Sequence, residues 1–125
     1  MFGINSAGIK SKLKSFDDII SKLGPQIWTL QETKLKPNET IKCDILDNFQ
    51  VYYLSRQESE GGGLAIGVTK DLESTLIREG DDQTEAMSVQ VWLTISQFVL
   101  LMHMEHRKMH YRKIRCGDLL KKKII

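Results

Sequence analysis

Residues Ile27–Leu35 read IWTLQETKL, an apolar run that ends by presenting Gln31 and Glu32. Trp, Ile and Thr suit a pleated, half-buried segment, so the run predicts a strand over 26–31. In open α/β sheets, ligands and catalytic groups collect outside the carboxyl ends of the strands, which makes Glu32 a candidate for chemistry. The competing reading is a solvated charge that opens a loop. The flanking sequence decides what kind of sheet this strand enters.

Upstream, Phe2–Asn5 is short and apolar and runs into the polar turn Asn5-Ser6-Ala7-Gly8, the pattern of a first strand. Ser11–Leu23 carries Leu13, Phe16, Ile19, Ile20 and Leu23 at helical spacing, and Gly24-Pro25 stops it; this predicts an amphipathic helix. A β-α-β unit makes its two strands parallel, so Asn5 and Glu32 are expected at the same sheet edge. An amide oxygen and a carboxylate are suitable ligands for a hard cation. Mg²⁺ takes oxygen ligands, keeps several waters, and is commonly held by one or two carboxylates plus substrate phosphate.

Downstream, Leu35–Asn48 reads as a loop with a helical turn, and Phe49–Leu54 as a strand rich in β-formers. Gly61-Gly62-Gly63 precedes LAIGV, a buried-strand pattern; STLIRE from Ser74 and AMSVQVWLTI from Ala86 are two more strands, separated by a turn at Gly80-Asp81-Asp82. A β-α-β start that runs into consecutive strands predicts an α+β fold, a layered β-sheet with outer helices. The glycine triplet does not read as a phosphate cradle, because no Gly-Lys-Ser/Thr follows and the next element is a strand. It reads as a flexible turn entering that strand.

A chain of 125 residues fits a single domain with one modest core. No apolar run approaches the ~20 residues of a membrane span, and Met1–Lys14 lacks the apolar stretch of a secretory signal. Cys43 and Cys116 lie far apart in unrelated contexts, which suits reduced thiols. The expectation is an intracellular protein, nuclear or cytoplasmic, with no membrane partner and no disulfide-linked partner.

The net charge of +2 conceals an asymmetry: ten Lys/Arg face fourteen Asp/Glu up to Leu100, and eight face two beyond it. Residues 101–125 are expected as a basic tail, distinct from a domain over 1–100. Arg107, Lys108, Arg112, Lys113 and Arg115 are its candidates for nonspecific contact with nucleic-acid phosphates; a merely solvated tail is the alternative. His103, His106 and His110, with Glu105, offer a weaker metal set in which His106 and His110 lie one helical turn apart. Their basic surroundings and the lack of a Cys pair speak against zinc.

NSAGIKSKLKSF (5–16), LQETKL (30–35) and GGGLAIGV (61–68), in this order and at these intervals, resemble the amino-terminal half of the endonuclease/exonuclease/phosphatase family. That family includes apurinic endonucleases and the endonuclease domains of non-LTR retrotransposons. The resemblance covers Phe2 to about Ile95, and LQET followed by a basic residue is its most specific part. It implies a Mg²⁺-dependent phosphodiester hydrolase, with Mn²⁺ as a possible substitute, acting on nucleic acid, DNA ahead of RNA. It implies that Asn5 and Glu32 are catalytic and metal-site residues. It also implies one half of a four-layered α/β sandwich about twice this length, with one packing face left uncovered here.

Two departures bear on activity. The second Asn/Asp of the first motif is Ala7 here, and the family's later Asn-x-Tyr, Asp-x-Asn and Ser-Asp-His motifs occur nowhere in the chain. Phosphodiester hydrolysis needs both metal stabilisation of phosphate charge and an activated water, so half a site is expected to accomplish little. Met102–Asp118, MHMEHRKMHYRKIRCGD, can be re-read one base out of register, with permitted third bases, as NAYGAQENALQKDKMWR. That string resembles the missing Asn-x-Tyr strand and the helix after it, which implies a frameshift near Leu100. The readings left open are a truncated endonuclease-like domain, a non-catalytic nucleic-acid-binding fragment, and a nonfunctional mobile-element remnant.

Overall fold

The computed structural model describes the backbone of residues 2–55, 62–79, 86–92, 98–105 and 108–115, and side chains within 2–55, 62–77 and 86–92. The elements are β1 (Phe2–Asn5), a 3-10 turn (Lys10–Lys12), α1 (Leu13–Leu23), β2 (Ile27–Gln31), a second 3-10 turn (Asp44–Asn48), β3 (Phe49–Leu54), β4 (Leu64–Thr69), β5 (Glu73–Glu79), β6 (Ala86–Trp92), β7 (Phe98–Glu105) and β8 (Lys108–Arg115). The fold is α+β, as the order of patterns predicts. Two four-stranded sheets form, in the orders β1-β2-β4-β3 and β5-β6-β7-β8.

The first sheet is mixed. β1 and β2 are parallel, because α1 crosses between them, and β4 runs antiparallel to both β2 and β3. Helix α1 starts two residues later than its apolar spacing suggests, since Lys10–Lys12 winds as a 3-10 turn. It buries Phe16 and Ile20, and full burial of such side chains contributes roughly 1.5–3 kcal/mol each. Gly24 ends it in the left-handed region at φ +54°, donating its N–H to the Ile20 carbonyl at 3.0 Å. An L side chain is disfavoured in that conformation, so a glycine stop fits there.

Strand alternation divides the core into two layers. Trp28, Leu30 and Ala65 face α1 with Ile9, Phe16, Ile20, Leu35, Ile41 and Leu46. Ile27, Leu64, Ile66 and Val68 face the second sheet, where Met87, Val89 and Val91 of β6 meet them. β4 is therefore buried on both faces, which is why LAIGV reads as a continuous apolar run instead of an alternating one. Across the layers, the Tyr52 and Ser74 hydroxyls hydrogen-bond at 2.8 Å. On the helix side, the Tyr53 hydroxyl accepts the Ile41 N–H at 3.0 Å and ties down the 35–48 loop. Burial pushes the Tyr53 phenol above its ordinary range, partly offset by that hydrogen bond.

Three expectations change. The sheet face expected to be uncovered is covered: β6 closes it with Met87, Val89 and Val91, each fully buried. The segment from 101 is not simply a tail. β7 pairs with β6, and β8 pairs with β7 from Phe98↔Arg115 to Glu105↔Lys108. Its Leu, Met, Tyr and Ile content suits strand pairing, a signal that the charge count obscured. Because Lys108–Arg115 is a strand, a helical spacing between His106 and His110 does not apply. Residues 93–97, 106–107 and 116–125 lie outside the described residues, as does the expected turn at 80–82, and so do Arg107, His106 and Cys116.

Candidate functional site

The register of β1 against β2 places Asn5 opposite Gln31, one residue from Glu32. Adjacent strands lie about 4.8 Å apart, so the two sequence-predicted site residues share one edge of the sheet. The pairing does not end with the strands. Ser6 N–H donates to the Gln31 carbonyl at 2.9 Å, Gly8 N–H to the Glu32 carbonyl at 2.8 Å, and Ile9 N–H to the Thr33 carbonyl at 3.0 Å. Ser6, only 4 % exposed, adds its hydroxyl, which reaches the Gln31 and Glu32 carbonyls at 3.0 and 3.1 Å.

Asn5 is exposed, and its side-chain oxygen accepts the Ala7 N–H at 3.0 Å. This local turn leaves the second lone pair of that oxygen available and fixes the direction in which the amide points. Lys12 donates its ammonium to the Ser6 carbonyl, which brings a positive charge to the same edge. Lys10 instead pairs with Glu39 at 2.5 Å, and Lys36 N–H donates to the same carboxylate at 2.8 Å. The Lys10 contact and then the Lys36 N–H hold Glu39 below the usual carboxylate range.

Glu32 itself sits at φ +53°, in the left-handed region. That conformation costs a residue with a Cβ about 1–2 kcal/mol. Among the described residues no group hydrogen-bonds or ion-pairs with its carboxylate. An unfavourable backbone held at a strand end is the kind of observation from which a functional role can be inferred. Glu32→Gly is expected to leave the unfolding free energy unchanged or raise it by up to about 1 kcal/mol, because relief of ~1–2 kcal/mol outweighs glycine's extra chain entropy of ~0.5–1 kcal/mol. Urea denaturation measures this; a clear loss of stability would show that the Glu32 side chain supports the fold.

The glycine triplet has a role that the turn reading missed. Gly62 and Gly63 both have positive φ, +64° and +92°. Their carbonyls accept the Lys34 N–H at 2.7 Å and the Thr33 N–H at 3.3 Å, so they hold the far side of the Glu32 loop. A Cβ on Gly63 would collide with the Thr33 hydroxyl. The signal available in the sequence was the position of the triplet directly before β4, the strand that pairs with β2. Ser6 and Thr33 left no comparable signal, because a Ser or Thr beside a strand end is common.

Elsewhere, Cys43 is half-buried and unpaired; burial first, and then the Asp17 charge, push its thiol up, away from a reactive thiolate. Lys108, Arg112, Lys113 and Arg115 fall on β8, in strand pairing with β7. No helix among the described residues is long and apolar enough to cross a membrane.

No protein-family model matches the chain, and no curated protein matches it. Among the described residues no three His, Cys, Asp or Glu side chains gather into a metal-binding group, so a closed cage of the zinc type is not present there. One amide oxygen and one carboxylate at a strand edge fit Mg²⁺, which retains most of its water and takes few protein ligands.

Proposed function

We propose that the chain carries the amino-terminal part of an endonuclease/exonuclease/phosphatase-like domain, in which Asn5 and Glu32 hold a Mg²⁺ ion used in phosphodiester hydrolysis of nucleic acid, DNA ahead of RNA. The observation that carries this reading is the parallel Asn5↔Gln31 register, which brings Asn5 and Glu32, the residue after Gln31, to one edge of the sheet. When bound, Mg²⁺ would supply stabilisation of phosphate charge. The protein's own groups bind and orient: Asn5 through the Ala7 turn, Glu32 through its left-handed backbone, and Lys12 as added positive charge beside them. Water activation is the missing part. Ala7 stands where the family it resembles has Asn or Asp, and neither Asp-x-Asn nor Ser-Asp-His occurs in the chain. Slow or absent hydrolysis at a functioning metal edge is the consequence.

Titration with Mn²⁺, followed by loss of its free-ion EPR signal, tests the reading. Wild type is expected to bind weakly, in the range where water supplies most ligands, and Glu32→Gln to lose at least the roughly 10–100-fold that even outer-sphere changes cost metal sites. Mg²⁺ should displace the Mn²⁺. Identical isotherms for wild type and Glu32→Gln would remove Glu32 from the site.

A further inference from the structure

Ser6 is more than a turn residue. Its N–H and hydroxyl between them engage the Gln31 and Glu32 carbonyls, at 2.9, 3.0 and 3.1 Å, while its own carbonyl accepts the Lys12 ammonium. One residue thus binds the end of β2, carries Asn5 as its neighbour, and orients a cation. Its side chain is buried, whereas Asn5 and Lys12 are exposed. The hydroxyl has a single proton to share between two carbonyls. Shared in this way, it resists both separation of β1 from β2 and rotation of the Gln31–Glu32 peptide, the motion that would release Glu32 from φ +53°.

We propose that Ser6 is the positioning residue of the metal edge: it touches neither ion nor substrate, and it holds the Glu32 backbone at φ +53° at the edge shared with Asn5. This rests on the metal reading given above. A hydrogen bond to the backbone behind a ligand acts on a metal as other second-layer contacts do, through ligand orientation. Ser6→Ala removes the shared proton without adding volume. It leaves the Ser6 N–H, and hence part of the pairing, in place.

The test measures two quantities on the full chain. The first is hydrogen exchange of the Gly8 and Ile9 amides, which donate across the same edge, with the Gly24 amide at the end of α1 as an internal control. Ser6→Ala is expected to speed exchange at Gly8 and Ile9 about tenfold and to leave Gly24 unchanged. The second is Mn²⁺ affinity, expected to fall about tenfold, at the low end of the range for outer-layer changes. Tyr53→Phe, which loses one hydrogen bond to Ile41 remote from the edge, should leave Mn²⁺ affinity unaltered, so general loss of stability cannot mimic the effect. Ser6→Cys keeps a weaker donor and should fall between wild type and Ser6→Ala; it decides the matter if Ser6→Ala does not fold. Wild-type Mn²⁺ affinity retained in Ser6→Ala, or unaltered Gly8 and Ile9 exchange, overturns the positioning role alone. A wild-type chain that binds no Mn²⁺ overturns the metal reading and the role of Ser6 with it.

Discussion

Trp28→Ala is expected to lower the unfolding free energy by about 3–5 kcal/mol, the range for truncating a large buried aromatic. Trp28 is completely buried and stacks edge-on against Phe16, with ring centroids 5.0 Å apart, and against Phe49 at 6.1 Å. It joins α1, β2 and β3 in one layer, so the cavity left behind has walls from three elements that cannot all collapse. Trp28→Phe should cost much less, because it keeps aromatic packing and also removes an indole N–H that has no hydrogen-bond partner among the described residues. The partner of this ring is Gly67, whose register neighbour is Trp28 itself. A Cβ on Gly67 would enter the indole, so Gly67→Ala alone should cost about 1–3 kcal/mol by overpacking. The double variant should be less destabilised than the sum of the two single changes, since each relieves the defect of the other. Urea denaturation of wild type, Trp28→Ala, Gly67→Ala and the Trp28→Ala/Gly67→Ala double variant checks this, and strict additivity would show that the two residues do not share one space.

Gly63→Ala is expected to have a comparably large effect, and it reaches the site. The position has φ +92°, which costs a residue with a Cβ about 1–3 kcal/mol, and the added methyl meets the buried Thr33 hydroxyl at a further overpacking cost of about 1–3 kcal/mol. The strain can be relieved only by moving Thr33 or β4, and the Thr33 N–H is bonded to the Gly63 carbonyl at 3.3 Å. Glu32 precedes Thr33, so displacement should disturb the proposed metal edge as well as the fold. Denaturation should show the stability loss, and Mn²⁺ titration at a temperature where the variant is folded should show weaker binding. A variant that is destabilised but binds Mn²⁺ like wild type would show that the Glu32 loop is held from the Ser6 side alone.

Local pattern determined much of the fold. Phe2–Asn5 and Phe49–Leu54 are strands with the bounds their composition predicts, and β2, β4 and α1 differ from expectation by no more than two residues. These elements are legible because apolar spacing and glycine stops act over a few residues, within reach of sequence reasoning. The same holds for the shared edge of Asn5 and Glu32, since a β-α-β connection compels parallel strands. Long-range packing decided the rest. That β6 would cover the face of β4, that residues beyond 101 would pair as β7 and β8, and that Gly67 makes room for Trp28 are all contacts between segments distant in sequence. No local periodicity encodes the partner. The left-handed backbone of Glu32 belongs to the same class: a glutamate does not choose φ +53° by its own preference. Ser6 from one strand end and Gly62-Gly63 from another hydrogen-bond to the residues on either side of it, contacts that exist only where the three segments meet.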